Sequence, residues 1–177
     1  QQHAVQGNPG LSALFYIKSG IAIGQGIQLS FEIESDVSHI DVPAYELNRI
    51  VGNLINNAFD AVANLERENQ WVNVSIYEKE NNYIFKVSNY GNIDPETAQN
   101  IFLRGYTTKQ GSHNGMGLYI ITQLVQKYGG KTRLGSKENA VEFTITLPKA
   151  KPGRETDALP GSKNGPETDG KFKASGL

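Results

Sequence analysis

Asn53-Leu54-Ile55-Asn56-Asn57-Ala58-Phe59-Asp60-Ala61 lies inside a run, Pro43 to Glu66, that reads as a strong helix. Leu47, Ile50, Val51, Leu54, Ile55, Ala58, Ala61 and Val62 recur at helical spacing, so one face is suited to burial. Pro43 fits the first helical position, and Asp41 is a candidate cap or pre-cap residue. Another face carries Asn53, Asn57 and Asp60 at steps of four and three. Such a stripe can be a solvated surface. Asn, however, forms helices poorly, and exposed helix faces are better filled by Glu, Lys or Arg. Three short oxygen-bearing side chains on one face suit a hard cation such as Mg²⁺, which takes oxygen ligands and keeps several waters.

A second signal lies about sixty residues downstream. Asn114-Gly115-Met116-Gly117-Leu118-Tyr119 leads into the amphipathic run Ile120-Ile121-Thr122-Gln123-Leu124-Val125. Glycine has no Cβ, so the backbone can approach a ligand closely. The helix that follows would offer free N–H groups and a positive dipole end to an anion such as phosphate. A Gly-x-Gly pair before a helix also occurs in purely structural turns.

The remaining elements fall around these two. Asn8-Pro9 opens a helix carrying Leu11, Leu14, Phe15 and Ile21 and ending near Gly24 to Gly26. Ile27, Leu29, Phe31 and Ile33 alternate as in a half-buried strand. Trp71 to Tyr77 and Tyr83 to Ser88 read as a hairpin, followed by Asn89-Tyr90-Gly91-Asn92 and a short helix from about Pro95. Two last strands are expected near Lys131 to Gly135 and Val141 to Leu147. Helices on one face of a mixed, mostly antiparallel sheet make an α+β fold, a two-layer α/β sandwich.

Together the motifs resemble the GHKL superfamily of ATP-binding domains, and within it the catalytic domain of sensor histidine kinases. Asn53-Leu-Ile-Asn-Asn57-Ala is similar to the N box. Ile101-Phe102-Leu-Arg-Gly-Tyr106-Thr107-Thr108-Lys109 is similar to the F box and the start of the ATP lid, and Asn114-Gly115-Met-Gly117-Leu-Tyr119 to the G2 box. Lys127-Tyr128-Gly129-Gly130 and a last strand closing in Leu147-Pro148 fit the same pattern. The Leu-Tyr after the second glycine and Gly-Tyr-Thr-Thr-Lys look most like kinases that sense citrate, C4-dicarboxylates or quorum peptides.

The resemblance implies a Bergerat-type fold over residues 10–149, with ATP and Mg²⁺ between the helices and a lid. Residues 1–9 would be the end of an upstream helical segment or disordered, and residues 150–177 a disordered polar tail. Asn57 would hold Mg²⁺. Asn53, at the catalytic position, would touch phosphate or metal-bound water, and Asp60 the metal shell or the ribose side. Gly115, Met116, Gly117 and Leu118 would form the phosphate-binding turn. Lys109 would be a phosphate contact or a loop lysine, and Thr107 and Thr108 local hydrogen-bonding residues of the lid. Phe102 would pack beneath the lid, which is compatible with a plain core role. The lid, residues 103 to 114, is expected to be mobile without nucleotide, since its composition offers little to bury.

The family's adenine contact is an Asp in an Asp-x-Gly-x-Gly box. Here Asn89-Tyr90-Gly91-Asn92-Ile93-Asp94 stands in its place, with Asn for Asp and the second glycine missing. An amide keeps a carbonyl acceptor but loses the charge. Gly91 still permits close approach. The same four residues also read as an ordinary turn after a strand.

Hydrolysing members of the superfamily carry a Glu one turn before the metal-binding Asn. Asn53 stands there and cannot act as a base at neutral pH. Phosphoryl transfer depends on positioning and charge neutralisation more than on a base, so transfer to a presented side chain is favoured over hydrolysis. The resemblance places the acceptor histidine on an upstream dimerisation domain, with a homodimer in the full-length protein and a response regulator as partner. None of His3, His39 and His113 has an acceptor's context. Two other classes are weighed: a nucleotide-independent interaction domain with a degenerate adenine box, and an anti-sigma-factor serine kinase of the same fold.

Composition agrees with one domain plus loose ends. The chain has 177 residues and a net charge of −1, which gives no bulk attraction to nucleic acid. It has no cysteine, hence no disulfide and no Cys-based metal site. No apolar run reaches transmembrane length. The chain begins Gln1-Gln2 and its only methionine is Met116, so it is expected to be a fragment or a processed chain. The resemblance implies a cytoplasmic domain, with a membrane-anchored bacterial sensor as the whole protein.

Overall fold

The computed structural model describes residues 7–102 and 117–151. Helix α1 (Pro9–Gln25) begins where Asn8 Oδ1 accepts from the Leu11 N–H at 3.0 Å. It ends where the Gly26 N–H returns to the Ala22 and Ile23 carbonyls. Strand β1 (Gln28–Ile33) follows.

The helix centred on Asn53 is α2 (Ala44–Val62), shorter at both ends than its sequence pattern suggests. Pro43 sits at the N-cap position, and no side chain caps the helix, so Asp41 does not. The C-terminus stops at Val62 because its carbonyls are taken: Val62 by the Leu65 N–H, Ala63 by the Gln70 amide at 3.0 Å. A 3₁₀ turn, Arg67–Asn69, then leads to the hairpin β2 (Trp71–Lys79) and β3 (Asn82–Tyr90). Asp94 caps the short α3 (Pro95–Asn100) by accepting from the Thr97 N–H at 2.8 Å. Helix α4 (Gly117–Lys127), β4 (Lys131–Lys137) and β5 (Ala140–Pro148) complete the chain.

The sheet order is β1-β2-β3-β5-β4. β1 pairs with β2 in parallel and every other neighbour is antiparallel. Val72, Val74 and Ile76 of β2, Tyr83, Phe85 and Val87 of β3, and Ile145 and Leu147 of β5 point to one face and are buried there. The helices cover that face, as the two-layer α+β expectation requires. On α2, Leu47, Ile50, Leu54 and Ile55 are at most 2% exposed. Full burial of each such side chain stabilises the fold by about 1.5–3 kcal/mol.

Strand directions fix the helix directions. Taking β2 as running up, β5 also runs up and β3 and β4 run down. Helix α2 lies back along the sheet before feeding β2, so it runs down. Helix α4 precedes β4 and therefore runs up, antiparallel to α2. Helix α1 runs parallel to α2: Gly10 meets Asn48, Leu14 meets Gly52 and Lys18 meets Asn56, a constant offset of 38 residues. A Cβ on Gly52 would sit 3.4 Å from Leu14 Cδ1, so this glycine lets the two helices approach.

The upper end is closed by polar ties. Glu46, 7% exposed in the first turn of α2, accepts from the Tyr128 hydroxyl and from Lys127 Nζ at 3.2 Å, both at the end of α4. Those bonds, Tyr128's first, hold Glu46 below the usual carboxylate range against the opposing effect of burial. Glu78 is held down likewise by Lys149 and by Ser35, whose hydroxyl donates at 2.8 Å.

A depressed folded-state value stabilises above the unfolded one and is lost as pH falls through it. Stability is therefore expected to be level above about pH 4.3, the ordinary Glu value, and to decline below it. Glu46→Gln should be less stable at neutral pH and show a shallower acid decline. Urea midpoints measured across that range check both; parallel curves for the two proteins would contradict the assignment to Glu46.

Candidate functional site

The lower end of the molecule collects most of the sequence-selected residues. Helix α2 runs down, so Asn53, Asn57 and Asp60 lie on its last turns. Strand β3 also runs down and ends at Asn89 and Tyr90. Helix α4 runs up, so Gly117 and Leu118 start it from the same end.

On α2, Asn53 and Asn57 are half-buried and Asp60 is exposed. Asn53 Nδ2 donates to the Arg49 carbonyl at 2.6 Å, which turns its Oδ1 away from the helix backbone. No described residue hydrogen-bonds the Asn57 side chain. The oxygens of Asn53 and Asn57 share one face, one turn apart.

Asn89 departs from the turn alternative. It and Tyr90 remain in β3, where Asn89 pairs with Val72 on one side and Val141 on the other. The strand runs two residues beyond its apolar pattern because Asn89 still has ladder partners on both sides and Tyr90 pairs with Ala140 of β5. Asn89 is 4% exposed, a polar side chain on the face otherwise filled by apolar residues. Its Nδ2 donates to the Tyr90 carbonyl at 2.9 Å, leaving Oδ1 as the acceptor. Gly91 follows with φ of 148°, a value that disfavours any side chain. Its N–H donates to the Asn139 carbonyl at 2.8 Å, and Asn92 Nδ2 to Asn139 Oδ1 at 3.0 Å. The turn between β4 and β5 thus pins the chain just beyond Asn89, a role for Asn139 that the sequence motifs do not show.

Phe102 is half-buried and meets Phe143 of β5 edge-on, ring centroids 6.1 Å apart. Leu118 packs against the core, while Gly117 is exposed. Among the described residues nothing would meet a Cβ on Gly117. Thr107, Thr108, Lys109, Gly115, Met116 and the expected lid lie outside the described residues, as do His3 and His113. His39 is exposed at the upper end, its N–H donating to the Tyr83 hydroxyl at 3.0 Å.

Sequence reasoning also passed over Lys18. It is the one charged residue of α1, only 8% exposed, and its Nζ donates to Asn56 Oδ1 at 2.5 Å. Burial lowers its pKa. Its place one turn from Leu14, Phe15 and Ala22 put it on the buried face, which was the available clue. The bond fixes Asn56, next to Asn57, against α1.

Among the described residues no group of three His, Cys, Asp or Glu could hold a metal by itself. A cavity of about 710 Å³, lined by Tyr77, Lys86, Arg133 and Thr144, opens on the helix-free face of the sheet, away from these residues.

A helix layer over one face of this sheet, with the asparagine-bearing and glycine-led helices opening at one end, is the architecture of histidine kinase catalytic domains. The catalytic domain of histidine kinase ThkA, in a nucleotide-free form, matches with a TM-score of 0.70 at 21% identity, over 81% of this chain and 92% of that one. Full-length ShkA in complex with AMPPNP matches with a TM-score of 0.67 at 22% identity, over 81% of this chain and 30% of that one. The chain belongs to the GHKL domain family, whose model matches residues 42–148. A probable C4-dicarboxylate sensor kinase of Halalkalibacterium halodurans is 34% identical over 135 residues, 73% of this chain. The sensor protein CitS of the same organism is 33% identical over 72% of this chain. The chain spans a quarter of the length of these relatives (25%).

The Lys18–Asn56 pair generates a prediction. Asn56→Asp would set a carboxylate against the buried ammonium. It should stabilise the protein by about 0.5–1 kcal/mol, near the upper range for partly exposed pairs. Denaturant unfolding at neutral pH and low salt checks this, and a variant no more stable than the parent would show that Lys18 is not confined as described.

Proposed function

We propose that this chain is the ATP-binding catalytic domain of a two-component sensor histidine kinase. It would present the γ-phosphoryl group of ATP to a histidine on an upstream dimerisation domain. The observation that carries this reading is the convergence at one end of Asn53 and Asn57, the buried Asn89 followed by Gly91, and the glycine-led start of α4. These would supply metal and phosphate contacts from α2, a base contact from β3 and phosphate contacts from α4. The likeness to relatives named as sensor kinases supports it and disfavours the anti-sigma-factor alternative.

Asn57 fits a metal-binding role because its side chain has no described hydrogen-bond partner and offers an amide oxygen of the hard type Mg²⁺ takes. A single protein oxygen also matches the habit of Mg²⁺, which completes its shell with phosphate oxygens and water. When bound, the ion neutralises charge on the phosphates. Asn53, with its NH₂ held by Arg49, would offer its oxygen to metal-bound water or orient phosphate. The fixed orientation suits positioning and supplies no base. Asn89 Oδ1 would accept from the adenine amino group, and Gly91 would admit the base without a Cβ in its way. Gly117 and Leu118 would carry the phosphate-binding turn onto α4, together with Gly115 and Met116.

The partners follow from the same reading. ThkA is known in complex with the response regulator protein TrrA. A response regulator, reached through the upstream domain, is proposed here too. No helix among the described residues is long and apolar enough to cross a membrane. A cytoplasmic position beneath a membrane anchor remains part of the proposal.

Calorimetry with ATP, with and without Mg²⁺, tests the site. Asn57→Ala should lose metal-dependent affinity by about 1–3 kcal/mol, the cost of a lost contact to a charged site. Equal Mg²⁺-ATP binding by both proteins would remove Asn57 from the metal. Asn89→Asp should tighten ATP by about 1 kcal/mol, the difference between charged and neutral hydrogen bonds. GTP, with an oxygen where ATP has the amino group, should weaken. An unchanged ATP-to-GTP ratio would mean that Asn89 does not read the base. Incubated alone with labelled ATP, the chain should gain no acid-labile phosphate; stoichiometric labelling of His3, His39 or His113 would place the acceptor within it.

A further inference from the structure

Helices α2 and α4 each carry part of the proposed nucleotide site at the lower end, and they are tied to each other by polar groups at the upper end. Among the described residues that meeting is made by Glu46 with Tyr128 and Lys127. The charges suit both helices. Glu46 lies at the positive N-terminus of α2 and Lys127 at the negative C-terminus of α4. The end of α4 is also fixed to the sheet. A Cβ on Gly130 would come within 2.5 Å of the Thr146 carbonyl oxygen, so only glycine fits that approach. The chain is thus packed closely on β5 just after α4, and Glu46 ties that end of α4 to α2.

The lever arms are long. At about 1.5 Å per residue, Asn57 lies ~16 Å along α2 from Glu46, and Gly117 lies ~15 Å along α4 from Lys127. A relative rotation of roughly 4° at the pivot would therefore move Gly117 by about 1 Å against Asn57. A phosphate chain must touch both helices at once, and an error of that size in a binding constellation is costly. Ile121 and Val125 are buried along α4 and Leu118 and Leu124 pack against the core, but apolar contact is less directional than a hydrogen-bonded carboxylate.

We infer that Glu46, acting through Tyr128 and Lys127, is a positioning residue for the nucleotide phosphates: it sets the angle between the asparagine-bearing helix and the glycine-led helix. The inference rests on the nucleotide-binding reading above. It touches no nucleotide itself and reaches the site only through the two helices.

The test compares Glu46→Gln and Tyr128→Phe with the parent chain, by calorimetry or NMR titration, at a temperature where circular dichroism shows all three folded. Tyr128→Phe keeps the ring and removes only the hydroxyl, so it serves if Glu46→Gln folds poorly. The probes are Mg²⁺-ATP, which must span both helices, and AMP, whose base is read at the end of β3. The expected result is a five- to tenfold weaker Mg²⁺-ATP affinity in each variant, with AMP changed less than twofold. Equal losses for both ligands, or lower melting temperatures with unchanged Mg²⁺-ATP affinity, would reduce the clasp to a structural role and overturn the inference. If the parent chain binds neither nucleotide, the nucleotide reading fails and this inference with it. If the parent binds and both variants bind equally well, the inference fails alone.

Discussion

The contact on which the rest of the domain depends is the apolar stripe of α2 against the central strand β3. Leu47, Ile50, Leu54, Ile55, Ala58 and Val62 leave the helix no freedom to rotate, because any turn about its axis would expose them. Once that face is fixed, the faces bearing Asn53, Asn57 and Asp60 are fixed as well. Gly52 then admits Leu14, and α1 settles beside α2 in parallel register, with Lys18 brought to Asn56. The alternating strand directions do the remainder. They send α2 and β3 to the same end and start α4 there. No local signal in any one element specifies this meeting; it is a consequence of packing order.

The chemistry this end can perform follows from what it lacks as well as what it holds. An amide at Asn53, held by its NH₂ to the backbone of Arg49, has no proton to take or give near neutral pH. Hydrolysis needs water both placed and deprotonated, whereas transfer to a presented imidazole needs mainly alignment and charge neutralisation. The amides of Asn53 and Asn57 and the glycine that starts α4, carried on two helices, are suited to the second task. Its precision then depends on the helices, which is why ties remote from the ligand matter to it.

Much of this was legible in the sequence because the signals were periodic or local. The stripe of α2, the alternation in β1, the Asn8 cap and the Asp94–Pro95 start each arise within a few residues. The illegible parts arise from long-range pairing. Asn89 and Tyr90 look like the start of a turn, since Asn and Gly favour turns. They stay in the strand because Val72 and Val141 for Asn89, and Ala140 for Tyr90, supply ladder partners from other strands. The end of α2 was overrun for a related reason: Ala63 to Glu66 are compatible with a helix, and only Leu65 and Gln70 taking the carbonyls end it. Glu46 and Tyr128 are 82 residues apart, and nothing in either segment announces the other. Lys18 was legible in principle, as a lone charge on the buried side of an apolar helix. The positions of Thr107, Thr108, Lys109, Gly115 and Met116 remain expectations, since they fall outside the described residues.

The replacement of Asp by Asn at position 89 can be understood from the empty protein rather than the bound one. The side chain is 4% exposed and flanked by strands carrying Val72 and Val141. A carboxylate there, without a ligand, would be a desolvated charge, and burying such a charge is far more costly than burying an amide. The amide answers part of its own need, donating to the Tyr90 carbonyl at 2.9 Å. A carboxylate cannot make that bond, because it has no proton to donate. Asn therefore favours the empty fold, and Asp would favour the bound complex. Under the proposed adenine-binding role, Asn89 would shift the balance toward the ligand-free fold and a weaker hold on nucleotide. Such a domain would exchange nucleotide readily, which suits a donor that must be recharged after each transfer.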